Sequence, residues 1–454
     1  MNDPTPRADG QPRYWPQIVL LAATAAAWAG VLAGGFRFDD YPNLVHDPAT
    51  SQAAVFLDRL AWGVRPLLRA SYFLDHALWG MRPAGFLLTQ LLLHGIAVLG
   101  IYQLARRRLQ GGAAALAAGL CFALQPAHAE AVAYLSGRSV LLSTVLLVAG
   151  LLAHERAREG GWGWRAAALA AFVLACLARE TALVFPLLLL LWEWTRPPWT
   201  TPRWLIPALL AAAATLVLLV SLRTYRELFG FSWALRGPFE NLALHLASLP
   251  TLLSLWFRPW ALSPVHPAPA SAWPAIALGG ALALGLVATA IKLHRRAPEI
   301  ALAALWILIT LAPTHSVFTR LDPITERPLY LAWIGPSMLL GHLAGRVWQS
   351  GAGRRALIPT GAVLLLLAGW ATLSRVRIWI DEARLWTDTV AKAPGSSLAW
   401  NNLGAARRDA GDLPGAARAL RRALELDPAN RTARFNLMAM EFTSPAATLE
   451  GREP

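Results

Sequence analysis

Apolar residues run through most of the chain in long blocks, separated by short polar or basic segments. A helix that crosses a membrane needs about 20 mostly apolar residues, because lipid leaves every backbone polar group to be satisfied within the helix. The pattern therefore predicts an all-α, polytopic membrane helical bundle with about eleven spans. Another apolar stretch, 242–260, is interrupted by polar residues and predicts a half-span or surface helix. The predicted spans are 17–35, 86–106, 113–132, 139–154, 165–178, 181–195, 204–222, 273–292, 299–314, 328–345 and 356–374.

Positive residues in the short loops predict the orientation, since Arg and Lys favour the cytoplasmic side. Basic residues precede the first span and recur at 106–108, 156–165 and 196–203. All of these basic segments lie on the cytoplasmic side if the tail 1–16 is cytoplasmic and successive spans cross the membrane in opposite directions. The transmembrane domain is then 17–375, and its C-terminal end faces outside. The first outer loop, 36–85, is long enough to escape the charge rule.

Two segments of this outer loop have helical apolar spacing with aromatic residues: Ala53–Trp62 and Leu67–Trp79. Such helices are typical of the membrane interface. The arginines of the loop are expected to meet lipid phosphates there.

The C-terminal segment, 376–454, has a different pattern, with short amphipathic helices and Ala at the packing positions. Residues 397–430 follow the 34-residue tetratricopeptide pattern, with Gly411 in the turn. Moving the pattern back by 34 residues predicts a helix of a preceding repeat over Asp381–Lys392. Moving it forward by 34 residues predicts a capping helix over Arg431–Phe442. Because about three repeats are normally needed to bury a continuous core, we expect the array to lean on the membrane domain or on a partner.

Composition narrows the class further. The chain has 454 residues, of which 56% are hydrophobic and 15% charged, which excludes a single soluble core and a disordered chain. The net charge of +14 is not arranged as a basic stripe with interleaved aromatics, so membrane lipid is favoured over nucleic acid as partner. The preference for Arg over Lys, with abundant Ala and Gly, indicates a bacterial protein of the inner membrane. The predicted orientation of the spans places its repeat domain in the periplasm or outside the cell.

The first candidate chemistry follows the first span on the outer face, where Asp39 and Asp40 stand beside Arg37. An ionised carboxylate within hydrogen-bond reach can take the proton of a hydroxyl nucleophile. We therefore predict a catalytic base and its orienting partner here. Two acids that only cap a helix end are the structural alternative.

The second cluster lies in the segment 125–138, which brings His128, Glu130 and Arg138 to the outer ends of two predicted spans. Charged groups at a membrane are costly and are functional by default. Glu130 and Arg138 are predicted to act in the site. His128 is predicted to bind substrate, although a structural role is the more common one for a lone membrane histidine.

Two further outer clusters are Arg179 with Glu180, and the segment 314–327, which ends in Glu326 and Arg327. Each one alone is explained equally well by a local ion pair. Their convergence on one face predicts a chamber of acids and guanidinium groups. Guanidinium forks bind phosphate and stabilise a departing phosphate group. The sequence has no Walker loop, zinc spacing or nucleophile elbow, so the chemistries that depend on those motifs fit less well.

These motifs together resemble the C-type (GT-C) membrane glycosyltransferase superfamily, and more closely the transmembrane-and-tetratricopeptide O-mannosyltransferases with their bacterial relatives. The resemblance covers almost the whole chain. The similar stretches are 38–41, 65–67, 125–143, 178–180, 325–331 and the junction 377–382.

The resemblance implies transfer of one sugar, such as mannose, from a polyprenyl-phosphate donor to an acceptor hydroxyl on the non-cytoplasmic face. It implies that Asp39 or Asp40 is the base, with Asp39 the first choice, and that Glu130 orients the acceptor or sugar. It further implies that the arginines at 138, 179 and 327 hold the lipid phosphate, and that neither a metal nor a cofactor is needed. The acceptor is usually a protein Ser or Thr, but the small number of repeats leaves a lipid or glycan acceptor open. A membrane-anchored scaffold and a lipid-linked sugar transporter are the rival functions.

Overall fold

The computed structural model describes residues 14–109, 111–196, 205–221, 223–267, 269, 272–315 and 324–443. The first ten helices are α1 (Trp15–Trp28), α2 (Ala53–Trp62), α3 (Pro66–Trp79), α4 (Pro83–Arg108), α5 (Gly112–Ala123), α6 (Ala129–Val132), α7 (Arg138–Arg158), α8 (Trp162–Ala178), α9 (Phe185–Trp194) and α10 (Leu205–Ser221). The others are α11 (Arg223–Leu235), α12 (Pro238–Ser254), α13 (Trp273–Leu293), α14 (Pro298–Leu311), α15 (Leu329–Ala332), α16 (Ile334–Gln349), α17 (Ala352–Trp379), α18 (Glu382–Lys392), α19 (Ser397–Asp409), α20 (Leu413–Leu426) and α21 (Arg431–Thr443). The described residues contain no β-strand, so the all-α prediction is confirmed.

Each predicted apolar block coincides with a helix or with a helix and a short 3-10 turn. Among the described residues, five helices are long and apolar enough to cross a membrane, or six if one bent pair forms a single span. That pair joins α5 to residues 126–132 with a bend of 51°. The eleven-span topology stays a prediction.

Three regions differ from the expectation in detail. The interrupted stretch 242–260 forms α12, which starts earlier and ends at Ser254. Helix α11 is amphipathic and was not predicted, because its charged residues interrupt the apolar run. Helix α17 continues past the predicted domain boundary at 375/376 to Trp379.

Small residues allow the central helices to approach closely. A Cβ atom on Gly341 of α16 would lie 2.5 Å from the backbone oxygen of Ala114 in α5. Ala115 and Ala118 of α5 are fully buried beside it. Close backbone contact of this kind is how membrane helices gain packing energy without a hydrophobic driving force.

The outer loop forms both helices expected from its spacing, α2 and α3. Its arginines, however, bind protein carboxylates. Asp47 accepts hydrogen bonds from Arg59 at 2.8 Å and from Arg69 at 2.7 Å. Because Asp47 is almost buried, these two ion pairs hold parts of the loop together and occupy guanidinium groups that were expected to meet lipid.

The repeat helices lean on the membrane domain, as a short array requires. Trp386 of α18 packs its ring on Phe38, with centroids 5.0 Å apart. Arg375 of α17 donates to Asp388 at 2.8 Å, and Lys392 donates to the backbone oxygen of Leu262 at 2.8 Å. The first repeat helix therefore covers the segment that carries Asp39 and Asp40.

Candidate active site

Asp40 is a buried carboxylate with its oxygens fully engaged. Its Oδ1 accepts hydrogen bonds from the backbone N–H of Ser136 at 2.9 Å and from the Ser136 hydroxyl at 2.8 Å. Its Oδ2 accepts from the backbone N–H of Arg37 at 3.0 Å. Burial raises the pKa of Asp40 to about 6, against the lowering effect of these donors. Asp40 therefore ties the first outer loop to the segment after α6.

Asp39, its neighbour, is exposed. Its backbone N–H donates to the hydroxyl oxygen of Tyr134 at 3.1 Å. Its carboxylate has no hydrogen-bond partner within the described residues, yet it lies close enough to Arg327 to help raise the pKa of that guanidinium. The two adjacent acids thus differ in environment: Asp40 is buried and Asp39 is exposed.

Glu130 and Arg327 form an ion pair that also holds the backbone of the neighbouring turn. Glu130 Oε1 accepts from Arg327 Nε at 2.6 Å, while Oε2 accepts from the backbone N–H groups of Glu326 at 2.9 Å and Arg327 at 3.1 Å. Burial acts to lower the pKa of Arg327, but the charge and hydrogen bond of Glu130, together with Tyr134 and Asp39, outweigh it and the pKa is raised. The carboxylate holds both the side chain and the backbone of the 326–327 turn.

Tyr134 links the Asp39 segment to Arg327. It was not predicted as a site residue, although it lies within the segment 125–138. Its hydroxyl meets the Asp39 backbone, and its ring lies 5.5 Å from the Arg327 guanidinium carbon. Phe38 packs edge-on against the same ring, at 5.6 Å between centroids. Only the fold identifies this tyrosine, since a single aromatic residue in a loop carries no motif.

Glu326 is completely buried and points towards a different segment. Its Oε1 accepts from the backbone N–H of Ser263 at 2.5 Å and contacts His266 Nε2 at 3.1 Å. This geometry makes Glu326 an anchor for the loop after α12. The predicted substrate-binding role of Glu326 stays a prediction, as does that of the other predicted site residues. Arg320 and Asp322, which the sequence placed beside it, lie outside the described residues.

Arg138 is fully enclosed. It pairs with Asp75 at 2.5 Å, donates to the backbone oxygen of Phe86 at 2.7 Å, and lies over the Tyr72 ring at 4.8 Å. A guanidinium held in this way has no surface left for a lipid phosphate. The contacts favour a structural role, in which Arg138 clamps α3, α4 and α7 together.

Arg179 and Glu180 lie at the same end of the bundle, where Arg179 donates to Ser139 at 2.8 Å. Glu180 forms a two-pronged ion pair with Arg65. Burial acts to raise the pKa of Glu180, but the charge of Arg65 lowers it to about 2. Glu180 therefore stays ionised and fixes Arg65.

A cleft beside Arg179 is lined by hydroxyl side chains and reaches Pro328, and its polar lining residues are Ser143, Thr144, Thr181, Thr310 and Thr314.

His128 lies in a buried aromatic cluster. Its ring centroid is 4.5 Å from that of Tyr330 and 4.6 Å from that of Phe122. The side chain is fully buried. This environment favours the structural alternative for His128.

Across the described ranges, no group of three His, Cys, Asp or Glu side chains is arranged to hold a metal ion.

A chain of contacts connects the predicted residues at one end of the bundle. The Asp39 backbone and the Arg327 guanidinium both contact Tyr134, and Arg327 binds Glu130. Asp40 binds Ser136, and Arg179 binds Ser139 next to Arg138. An exposed carboxylate close to a guanidinium that is itself positioned by a second carboxylate suits a hydroxyl nucleophile and a phosphate leaving group.

Comparison with known proteins follows the same division of the chain. The profile of the family described as dolichyl-phosphate-mannose-protein mannosyltransferase matches residues 70–223. The tetratricopeptide repeat profile matches residues 397–430, which confirms the predicted repeat. The prediction of an all-α chain with long apolar helices and a short C-terminal repeat is confirmed for the described residues.

A protein O-mannosyl-transferase of Caenorhabditis elegans is 23% identical over 442 residues, covering 90% of this chain and 62% of that protein. One of Drosophila melanogaster is 32% identical over 178 residues, covering 36% and 20%. ArnT from Cupriavidus metallidurans, solved with undecaprenyl phosphate, matches with a TM-score of 0.48 at 15% identity, over 94% of this chain and 78% of its own. The chain spans less than two thirds of the length of the two O-mannosyl-transferases. The resemblance to the membrane O-mannosyltransferases is confirmed.

Proposed function

We propose that the protein transfers a monosaccharide, such as mannose, from a polyprenyl-phosphate carrier to an acceptor hydroxyl on the non-cytoplasmic face of the membrane. The observation that carries the proposal is the exposed Asp39 carboxylate close to Arg327, whose guanidinium Glu130 holds. The transmembrane domain supplies the site and the repeat domain lies beside it.

Asp39 acts as the base. It takes the proton of the acceptor hydroxyl while the acceptor oxygen forms a bond to the anomeric carbon. The bond between that carbon and the phosphate oxygen breaks, and the polyprenyl phosphate leaves with the electron pair. The Tyr134 hydroxyl, which accepts from the Asp39 backbone, keeps the carboxylate in place.

Arg327 receives the phosphate. Only its Nε donates to Glu130, and neither Nη group donates a hydrogen bond within the described ranges. Two terminal nitrogens are thus left to bind phosphate oxygens in the geometry that a guanidinium fork prefers. Arg179, at the hydroxyl-lined cleft that reaches Pro328, is the second phosphate ligand. Both charges stabilise the phosphate as its negative charge increases.

The acceptor is a protein Ser or Thr in this proposal. Two observations support it: the relatives are named protein O-mannosyl-transferases, and α18 lies directly on the Asp39 segment through the Trp386–Phe38 contact. A peptide held by the repeats would therefore present its hydroxyl near the base. A glycan or lipid acceptor would instead yield no glycosylated peptide.

The test is sugar transfer by purified protein, supplied with polyprenyl-phosphate mannose and Ser/Thr peptides, with products identified by mass spectrometry. Asp39→Asn is expected to lower the rate by about 10²–10⁴-fold, the usual contribution of a general base. Asp58→Asn, which changes another exposed acid of the same outer loop, is the matched control and should retain full activity. Full activity of Asp39→Asn would remove the catalytic assignment.

A further inference from the structure

The opposite end of the bundle carries an open, charged cleft that the transfer reaction does not use. Helix α4 has 26 residues and begins near Phe86, beside the candidate active site. At 1.5 Å per residue its other end lies about 39 Å away. The cleft there has a volume of about 420 Å³. Its lining residues are Gln103, Arg106, Arg107, Glu155, Glu159 and Arg196.

The ion pair formed by Arg108 at this end is separate from the cleft. Arg108, the next residue of α4, is almost completely buried and donates to Glu299 at 2.8 Å and to Thr195 at 2.9 Å. Those contacts tie α4 to α9 and α14. Arg106, which lines the cleft, takes no part in these contacts.

Several guanidinium N–H groups in the cleft remain available. Arg106 is exposed and has no acidic partner among the described residues. Arg107 binds Glu159 through Nη1 alone, at 3.3 Å. Arg196 binds Glu155 through Nη1, and its Nη2 donates to the Arg107 backbone oxygen at 3.3 Å. Because a guanidinium has five N–H donors, an anion can be bound without breaking either ion pair.

The cleft lies at the level expected for lipid headgroups. Trp162 and Trp164, which follow α7, are 78% and 42% exposed. Arg156 lies over the Trp164 ring at 4.6 Å. Exposed tryptophans of a membrane protein mark the interface between lipid and water, and basic pockets at helix ends bind anionic headgroups.

We propose that this cleft binds the phosphate ester of a membrane lipid on the face opposite the active site, with Arg106 as its main ligand. The shared chemistry is that of a phosphate ester, so a soluble phosphate is the other source to be distinguished. The site is independent of the proposed sugar transfer, because it lies at the other end of α4 and shares no residue with it.

The experiment uses the purified full-length protein in detergent and measures the rise in melting temperature as ligand is added. The probes are dioctanoyl phosphatidylglycerol, dioctanoylglycerol, which lacks the phosphate, and inorganic phosphate. We expect phosphatidylglycerol to stabilise the protein and dioctanoylglycerol to have no comparable effect. R106Q should weaken the apparent affinity for phosphatidylglycerol about tenfold, the effect of losing one charge-assisted hydrogen bond.

R295Q is the matched control, since Arg295 is exposed at the same end but does not line the cleft. Its affinity should stay within twofold of the original protein. R327Q should also leave the effect intact, which separates this site from the phosphate site of the proposed reaction. Saturation by inorganic phosphate alone would retain the anion site but assign it to a soluble ligand. Unchanged affinity in R106Q, or equal stabilisation by dioctanoylglycerol, would overturn the proposal.

Discussion

Replacing Glu130 by Gln tests whether this carboxylate positions the phosphate-binding arginine. The two Glu130 oxygens accept three hydrogen bonds, one from Arg327 Nε and two from backbone N–H groups. A glutamine has one acceptor oxygen, and its amide N–H₂ group would face donors. At least one bond to a charged group is lost, at about 1.5–3 kcal/mol. Since the Arg327 side chain is 22% exposed, water replaces part of the loss, and we expect about 2 kcal/mol.

The same 2 kcal/mol, if it appears in the transition state, corresponds to about thirtyfold in kcat/KM. The assay is a double-mutant cycle of Glu130→Gln and Arg327→Gln, in which both transfer rate and thermal unfolding are measured. If Glu130 acts through Arg327, the double variant should be no slower than Arg327→Gln alone. Additive losses, with a coupling energy below about 0.5 kcal/mol, would refute this reasoning.

A matched control for this cycle is Glu299→Gln. Glu299 binds Arg108 at 2.8 Å at the far end of the bundle, so its loss should lower the melting temperature. It should leave the rate constant of transfer unchanged, because the pair is remote from Asp39.

Two further predictions concern the residues around Asp39. Burial raises the pKa of Asp40 from 3.8 to about 6, so the folded protein binds this proton more tightly than the unfolded chain. The free energy of unfolding should therefore fall as pH rises from about 4 to 6, by up to about 3 kcal/mol, and Asp40→Asn should remove this slope in thermal unfolding between pH 4 and 7. Tyr134→Phe removes the acceptor of the Asp39 N–H but keeps the ring beside Arg327, so kcat should fall about fivefold, for about 1 kcal/mol, with little change in donor KM. A large rise in KM without a change in kcat would contradict that assignment.

Apolar patterning predicted most of the helices because lipid makes helix formation within each apolar block almost obligatory. Helices α2 and α3 were predicted for a related reason, since their apolar residues recur at helical spacing. Patterning missed α11, in which Arg223, Arg226 and Glu227 break the run without breaking the helix. The span count needs the position of each helix relative to the membrane, which length and composition alone do not give.

The sequence predicted the residues of the candidate site, but not the contacts that distinguish them from one another. Asp39 and Asp40 are adjacent and chemically identical, and what distinguishes them is Ser136, 96 residues away, which binds only Asp40. Arg138 looked like a phosphate ligand until the fold placed Asp75 against it. A sequence shows that charges are present near a membrane, but only tertiary contacts show which of them are already neutralised.

Backbone conformation explains how adjacent acids come to face opposite ways. Among the described residues, only Phe38 and Arg65 are non-glycine residues with positive φ, at 41° and 53°. That conformation costs about 1–2 kcal/mol for an L-residue and persists only when the surroundings enforce it. Phe38 is held between Tyr134 and Trp386, and Arg65 is held by Glu180. Because the turn at Phe38 precedes both acids directly, the packing of the first repeat helix on its ring helps to keep Asp40 buried and Asp39 exposed.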